Sequence, residues 1–211
     1  MKVTLFGATG KTGRYLIAEG LKRGIELTIF ARTSSLFEDS NVRVIRGEFT
    51  DKEALKDAIQ GADAVLSALG PTTFKHAKNL PITRAMQAII SMMKQENVTR
   101  LIAVSTGTAV DPDDRFDWKI RFPAFLIRIM MATTYQDIIA LAQTVRASEL
   151  DWTLVRVAFL NNNPASSYLN VGLYGQTKHL MTLSREEVAT FMFDQLFDGQ
   201  FIKMAPGIST G

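Results

Sequence analysis

The chain has 211 residues, 46% of them hydrophobic, which suits one α/β domain with a sizeable core and leaves little for a second. It contains no cysteine, which excludes disulfides, thiol nucleophiles and cysteine-ligated metals. The net charge of +3 is modest and the basic residues are scattered, which disfavours nucleic acid as a partner.

The first fifteen residues organise the rest. The β-rich run Val3-Thr4-Leu5-Phe6 meets Gly7-Ala8-Thr9-Gly10-Lys11-Thr12-Gly13, and an apolar-periodic helix comes at once, about Thr12 to Arg23. This strand–turn–helix context is the one a dinucleotide fingerprint requires. Gly7 lets the strand turn sharply, Gly10 has no Cβ to hold a pyrophosphate off the backbone, and Gly13 lets helix and strand lie close. The helix N-terminus then offers unpaired N–H groups and partial positive charge, to which Thr9, Lys11 and Thr12 add donors. No Lys-Ser/Thr pair stands after the last glycine, so this is not a P-loop.

Further strands are predicted at Leu27 to Ala31, Val42 to Ile45, Ala64 to Leu69, Leu101 to Thr106 and Trp152 to Val157, with a last short one at Phe201 to Met204. Helices are predicted after Asp51, over Ile82 to Glu96, over Ala132 to Ser148, and from an N-cap at Ser184 to about Phe197. This alternation predicts a doubly wound parallel sheet, a Rossmann fold of strand order 3-2-1-4-5-6 with a short extra C-terminal strand. The expected organisation is one domain over residues 1–211, with variable substrate-side segments near 107–131 and 161–180. A strand beginning at Lys2 leaves no room for a signal peptide, and the apolar run Phe122 to Ala132 is interrupted by Arg128 and too short to span a bilayer. The expectation is a cytoplasmic protein with no membrane partner, as homodimer or monomer.

In such sheets the ligand sits beyond the carboxyl ends of the strands. The second strand ends at Ala31-Arg32-Thr33-Ser34-Ser35, with no carboxylate for the ribose hydroxyls of NAD. Arg32 can fork onto a 2′-phosphate, so NADP(H) is expected over NAD. The turn Leu69-Gly70-Pro71 lets the chain pass beside a ribose, and Ser105 and Thr106 put hydroxyls where the fifth predicted strand ends. His76 and His179 stand alone, so no metal site is indicated.

The glycine spacing resembles the short-chain dehydrogenase/reductase superfamily, and within it the NmrA-like and biliverdin reductase B (flavin reductase) branch. The resemblance continues in the block Arg146-Ala147-Ser148-Glu149-Leu150-Asp151-Trp152-Thr153-Leu154-Val155-Arg156, where Val157 replaces the family's proline. It implies that Arg32 reads NADPH, that Glu48 and Phe49 flank the adenine, and that Val157, Ala158 and Phe159 flank the nicotinamide. It also implies that Thr106, or else Ser105, holds the substrate oxygen, with Ser105 beside the cofactor in either case. The family's Tyr-x-x-x-Lys proton-donor motif falls on Tyr135 and Ile139. A phenol without that ammonium is a poor acid near neutrality, which points away from ketone chemistry and makes Tyr135 a pocket residue as readily as an acid. The implied activity is hydride passage from NADPH to a small conjugated acceptor of the flavin, quinone or tetrapyrrole type. A non-catalytic NADP-binding sensor of the NmrA kind and a sugar epimerase or dehydratase stay as alternatives. The aromatic and basic run Arg115 to Met131 is open to three readings: an acceptor pocket, a core helix, or a dimer contact.

Overall fold

The computed structural model describes residues 1–71 and 76–211. Short β-branched and apolar runs form β1 (Lys2–Phe6), β2 (Glu26–Ala31), β3 (Arg43–Arg46), β4 (Ala64–Ser67), β5 (Arg100–Thr106) and β6 (Asp151–Val157). Their side chains are buried on both faces in β4 and β6, as expected of a parallel sheet covered by helices. The helices are α1 (Gly13–Lys22), α2 (Lys52–Ile59), α3 (Pro81–Gln95), α4 (Trp118–Met130), α5 (Ala132–Arg146) and α6 (Arg185–Asp194). Against one sheet face, α2, α3 and α5 pack around Met86, Ile89, Leu141 and Val145; against the other, α1 and α6 pack around Leu16, Ile17, Val188 and Phe193.

The sheet order is β3-β2-β1-β4-β5-β6, as the alternation of elements predicts, continued by β10 (Gly207–Thr210) and β8 (Leu169–Gly172). All pairings are parallel except β10 with β8. Two further strands, β7 (Phe159–Asn161) and β9 (Thr182–Ser184), form a separate parallel pair.

Three expectations change. The last strand is Gly207–Thr210 and not Phe201 to Met204; Lys203 takes a left-handed φ of 58° that turns the chain, and Met204 keeps only a single bridge to Thr153. The apolar run before Ala132 is itself a helix, α4, started by Asp117, whose carboxylate accepts from Lys119 N at 3.0 Å. Within the segment 161–180, for which no strand is predicted, β8 forms and joins the main sheet. The caps at Asp51 and Ser184 form where expected, the second as a full capping box with Glu187.

At the end of β6, Arg156 is fully buried and holds Asp114 in a two-pronged ion pair, Nη1 to Oδ2 at 2.5 Å and Nη2 to Oδ1 at 2.7 Å. Its Nε donates to Ala205 O at 2.7 Å, and its guanidinium stacks on Tyr174 at 4.5 Å. One side chain thereby ties β6 to the Asp-rich loop, to the turn after β8 and to the approach to β10. Burial alone would raise the Asp114 carboxyl; the Arg156 guanidinium and the N–H groups of Asp111 and Tyr174 outweigh it and hold the carboxyl below its ordinary range. Asp114→Ala, which strands the buried guanidinium, is expected to cost about 3–5 kcal/mol in urea denaturation near neutral pH. A lowered carboxyl pKa contributes stability above the unfolded value and loses it as pH falls through the folded one, so the difference from wild type should shrink on acidification.

Candidate active site

The turn after β1 is built by steric necessity. Gly7 sits at φ 77°, and a Cβ there would meet Ala68 C at 2.7 Å. A Cβ at Gly13 would overlap Ala8 O at 1.9 Å, so α1 can start only with glycine at that place. Gly10 differs: its Cβ would approach nothing closer than Gly7 O at 3.2 Å, and its open side is the cleft. Thr12, at the N-cap of α1, makes no side-chain cap, and the first turn carries no acid. The turn therefore presents backbone donors and the positive end of a helix to a void, which fits a pyrophosphate.

That void is a cleft of about 590 Å³ across the carboxyl ends of β1, β4, β5 and β6. One end is formed by Gly7, Gly10, Lys11 and Thr12 opposite Leu69 and Gly70. Its far end is Thr106, Val157, Ala158 and Phe159. The roof is α4, which turns Ile120, Pro123, Ala124 and Ile127 inward at helical spacing, and α5 contributes Thr134 and Ile138. The aromatic and basic run is a helix whose small and aliphatic face lines the cleft, whereas the residues that suggested a pocket, Phe116, Trp118, Phe122, Phe125, Ile129 and Met130, are exposed outside the lining and Met131 alone of them reaches it.

The residues expected in the site divide into those the cleft gathers and those it does not. Thr106 reaches it, with Oγ1 2.5 Å from Thr108 Oγ1. Ser105 is buried outside the lining, and its hydroxyl has no partner among the described residues; neighbouring strand residues point to opposite faces. Tyr135 is not in the lining, and Thr134 and Ile138 stand there in its place. The helical phase is set by Asp137, fully buried on the same helix. Its carboxylate accepts from Ile82 N at 3.0 Å, Thr83 N at 2.8 Å and Thr83 Oγ1 at 2.6 Å, capping α3 from a neighbouring helix. Its Oδ2 also lies 2.6 Å from His76 Nε2. Burial raises the Asp137 carboxyl, but these hydrogen bonds more than offset that and hold it below its ordinary range.

Phe49 packs on Phe30 and Phe6, with ring centroids 5.3 and 6.1 Å away, and Glu48 is exposed beside it. Arg32 is exposed just past β2, outside the cleft. Thr9 lines a second, adjoining cavity with Gly10 and Lys11. Sequence reasoning missed Thr108, Thr134, Ile138 and the inner face of α4; the spacing of Ile120, Pro123, Ala124 and Ile127 was the readable signal. Tyr174 also lines the cleft, where burial pushes its phenol up to about 12, and its hydroxyl donates to Arg156 O at 3.3 Å. Among the described residues no group of three or more His, Asp or Glu is placed to hold a metal, and no helix is long and apolar enough to cross a membrane.

The family model for NAD(P)H-binding proteins matches residues 7–199. The chain belongs to the NAD(P)H-binding family. Its match therefore runs from the first glycine of the turn to beyond α6. Among solved structures, a short-chain dehydrogenase/reductase of Veillonella parvula in complex with NADP superposes with a TM-score of 0.77 at 21% identity, covering 99% of this chain and 94% of that one. ChuY, an anaerobillin reductase from Escherichia coli O157:H7, gives 0.75 at 15% identity, with 100% and 97% covered. At these identities the likeness is one of fold. Among curated sequences, YwnB of Bacillus subtilis is 29% identical over 54% of this chain and 51% of its own length; an isoflavone reductase homolog of Zea mays is 25% identical over 52% and 37%. The chain thus spans about half or less of the curated relatives it matches. Gly10→Val should leave native circular dichroism and abolish NADPH binding in calorimetry, because the added side chain would project into the cleft. Unchanged affinity would contradict this placement.

Proposed function

We propose that the protein is an NADPH-dependent reductase of a small, flat, conjugated acceptor of the flavin, quinone or tetrapyrrole type. One observation carries the reading: the acceptor end of the cleft is apolar and holds no usable acid among the described residues. Tyr135 lies outside the lining, and the Tyr174 phenol is buried, engaged with a carbonyl and raised to about 12. Reduction of a ketone builds an alkoxide that needs a proton in the transition state. A conjugated acceptor spreads the incoming charge over its ring and takes its proton from solvent.

Gly7, Gly10, Lys11, Thr12 and the start of α1 would hold the dinucleotide's pyrophosphate, Leu69 and Gly70 would flank its ribose, and Val157, Ala158 and Phe159 its nicotinamide. When bound, the cofactor supplies the hydride. The chain's own part is to bring two flat rings to reacting distance between α4 and the ends of β5 and β6, with Ile120, Ile127 and Ile138 as an apolar wall, which is catalysis by proximity and orientation. Thr106 and Thr108 supply hydroxyls for an acceptor oxygen. Arg32, with Thr33 and Ser34, stands ready for a 2′-phosphate, which supports NADPH over NADH. The relatives named as reductases are in keeping with this chemistry.

Two measurements test the reading. NADPH should bind about tenfold tighter than NADH, roughly 1.4 kcal/mol, with Arg32→Ala erasing most of the difference; equal affinities in the wild type would contradict it. Tyr135→Phe should cost less than about tenfold in turnover of a flavin or quinone, and simple ketones should not be reduced. A far larger loss, or brisk ketone reduction, would make Tyr135 an acid. Tight NADPH binding with no acceptor turned over would favour a sensor.

A further inference from the structure

Beside the nucleotide cleft lies a second cavity of about 540 Å³, and its lining is cationic and polar: Lys11, Arg14 and Arg185, with Thr9, Asn161 and Asn162. The fold brings these together from opposite ends of the sequence. The parallel register of β7 with β9 sets Asn161 beside Ser184, the cap of α6, so that Arg185 at the first helical position meets Asn162, its Nη1 donating to Oδ1 at 2.7 Å. From the other side come Lys11 and Arg14, at the start of α1, which packs along α6.

None of the three cations takes an ion-pair partner among the described residues. Among the described residues the Arg14 guanidinium hydrogen-bonds Tyr15 alone, Nη2 donating to its hydroxyl at 3.2 Å, and the buried Nε of Arg185 has no partner. Two of the cations, Lys11 and Arg14, sit at a helix N-terminus with no acid in the first turn, the end where positive charge is disfavoured. Like charges gathered in this way, with a guanidinium nitrogen left unmatched, are an arrangement an anion completes.

We propose that this cavity binds an anionic arm of the acceptor, a phosphate or carboxylate, while its flat ring lies in the cleft; the proposal rests on the reductase reading. The two cavities share Gly10, Lys11, Leu160 and Arg185, so a ring beside Phe159 and Leu160 can extend an arm between them. The cofactor's pyrophosphate does not use up this site. Gly10 and Lys11 are shared with the pyrophosphate's cradle of Gly7, Gly10, Lys11 and Thr12, whereas Arg14, Asn161 and Asn162 line the second cavity alone.

The test uses two pairs of probes that differ only in charge: riboflavin and its 5′-phosphate, and a linear tetrapyrrole dicarboxylate and its dimethyl ester. Equilibrium binding to the protein saturated with NADP⁺, read by fluorescence quenching, is independent of turnover. In at least one pair the anion should bind about tenfold tighter, as charge-assisted hydrogen bonds imply. Arg14→Gln should remove most of that preference without weakening NADPH. Because Arg14 is exposed and hydrogen-bonds only its neighbour among the described residues, Arg14→Gln is expected to keep native circular dichroism. The pair that responds tells phosphate from carboxylate. No preference in either pair overturns the proposal, as does a loss of NADPH affinity in Arg14→Gln matching the loss for the anion, which would give the cavity to the cofactor. Anion preference without NADPH oxidation would keep the site and sink the reductase reading.

Discussion

The buried pair of Arg156 and Asp114 is the interaction on which the site depends. It sits immediately before Val157, where β6 becomes the far end of the cleft, and it draws in the Asp-rich loop that leads into α4. A guanidinium at zero exposure is unfavourable unless every donor is matched, and here carboxylate, two carbonyls and an aromatic face surround it. Because removing either partner strands a charge, the pair holds one arrangement of three segments. The roof α4 and the floor Val157–Phe159 are thereby kept at a fixed separation.

The charges around the two cavities are sorted by task. Cations gather along the second cavity, from Lys11 through Arg14 to Arg185, beside the N-termini of α1 and α6. Among the described residues the far end of the cleft is lined by hydroxyls and apolar side chains, so under the proposed function its selectivity comes from shape and from whatever charge an acceptor carries away from its ring. A site of this kind fits reduction of a ring that accommodates negative charge and gives no help to one that does not.

Much of this was legible in the sequence, because the glycine turn and the alternation of strand and helix are local signals. Gly7, Gly10 and Gly13 announce themselves by spacing, and Asp51 and Ser184 by the acidic, helix-forming residues just after them. The rest depends on contacts between distant segments. Whether Thr134 or Tyr135 faces the cleft is a rotation of one residue in α5, decided by Asp137 capping α3 across the helix pair. The helix α4 is apolar nearly all round, which hides the face that matters. Asn162 and Arg185 meet because β7 pairs with β9, a pairing no periodicity reports.

The central claim is that this cleft moves a hydride, and single-turnover absorbance with NADPH deuterated at the transferring position of the nicotinamide tests it most directly. Mixed with a flavin or quinone, the wild-type protein should oxidise the cofactor with a primary isotope effect, the sign of carbon–hydrogen cleavage in the bound complex. An NADPH complex that persists unchanged in the presence of every conjugated acceptor would contradict the account and leave a binding protein in place of an enzyme.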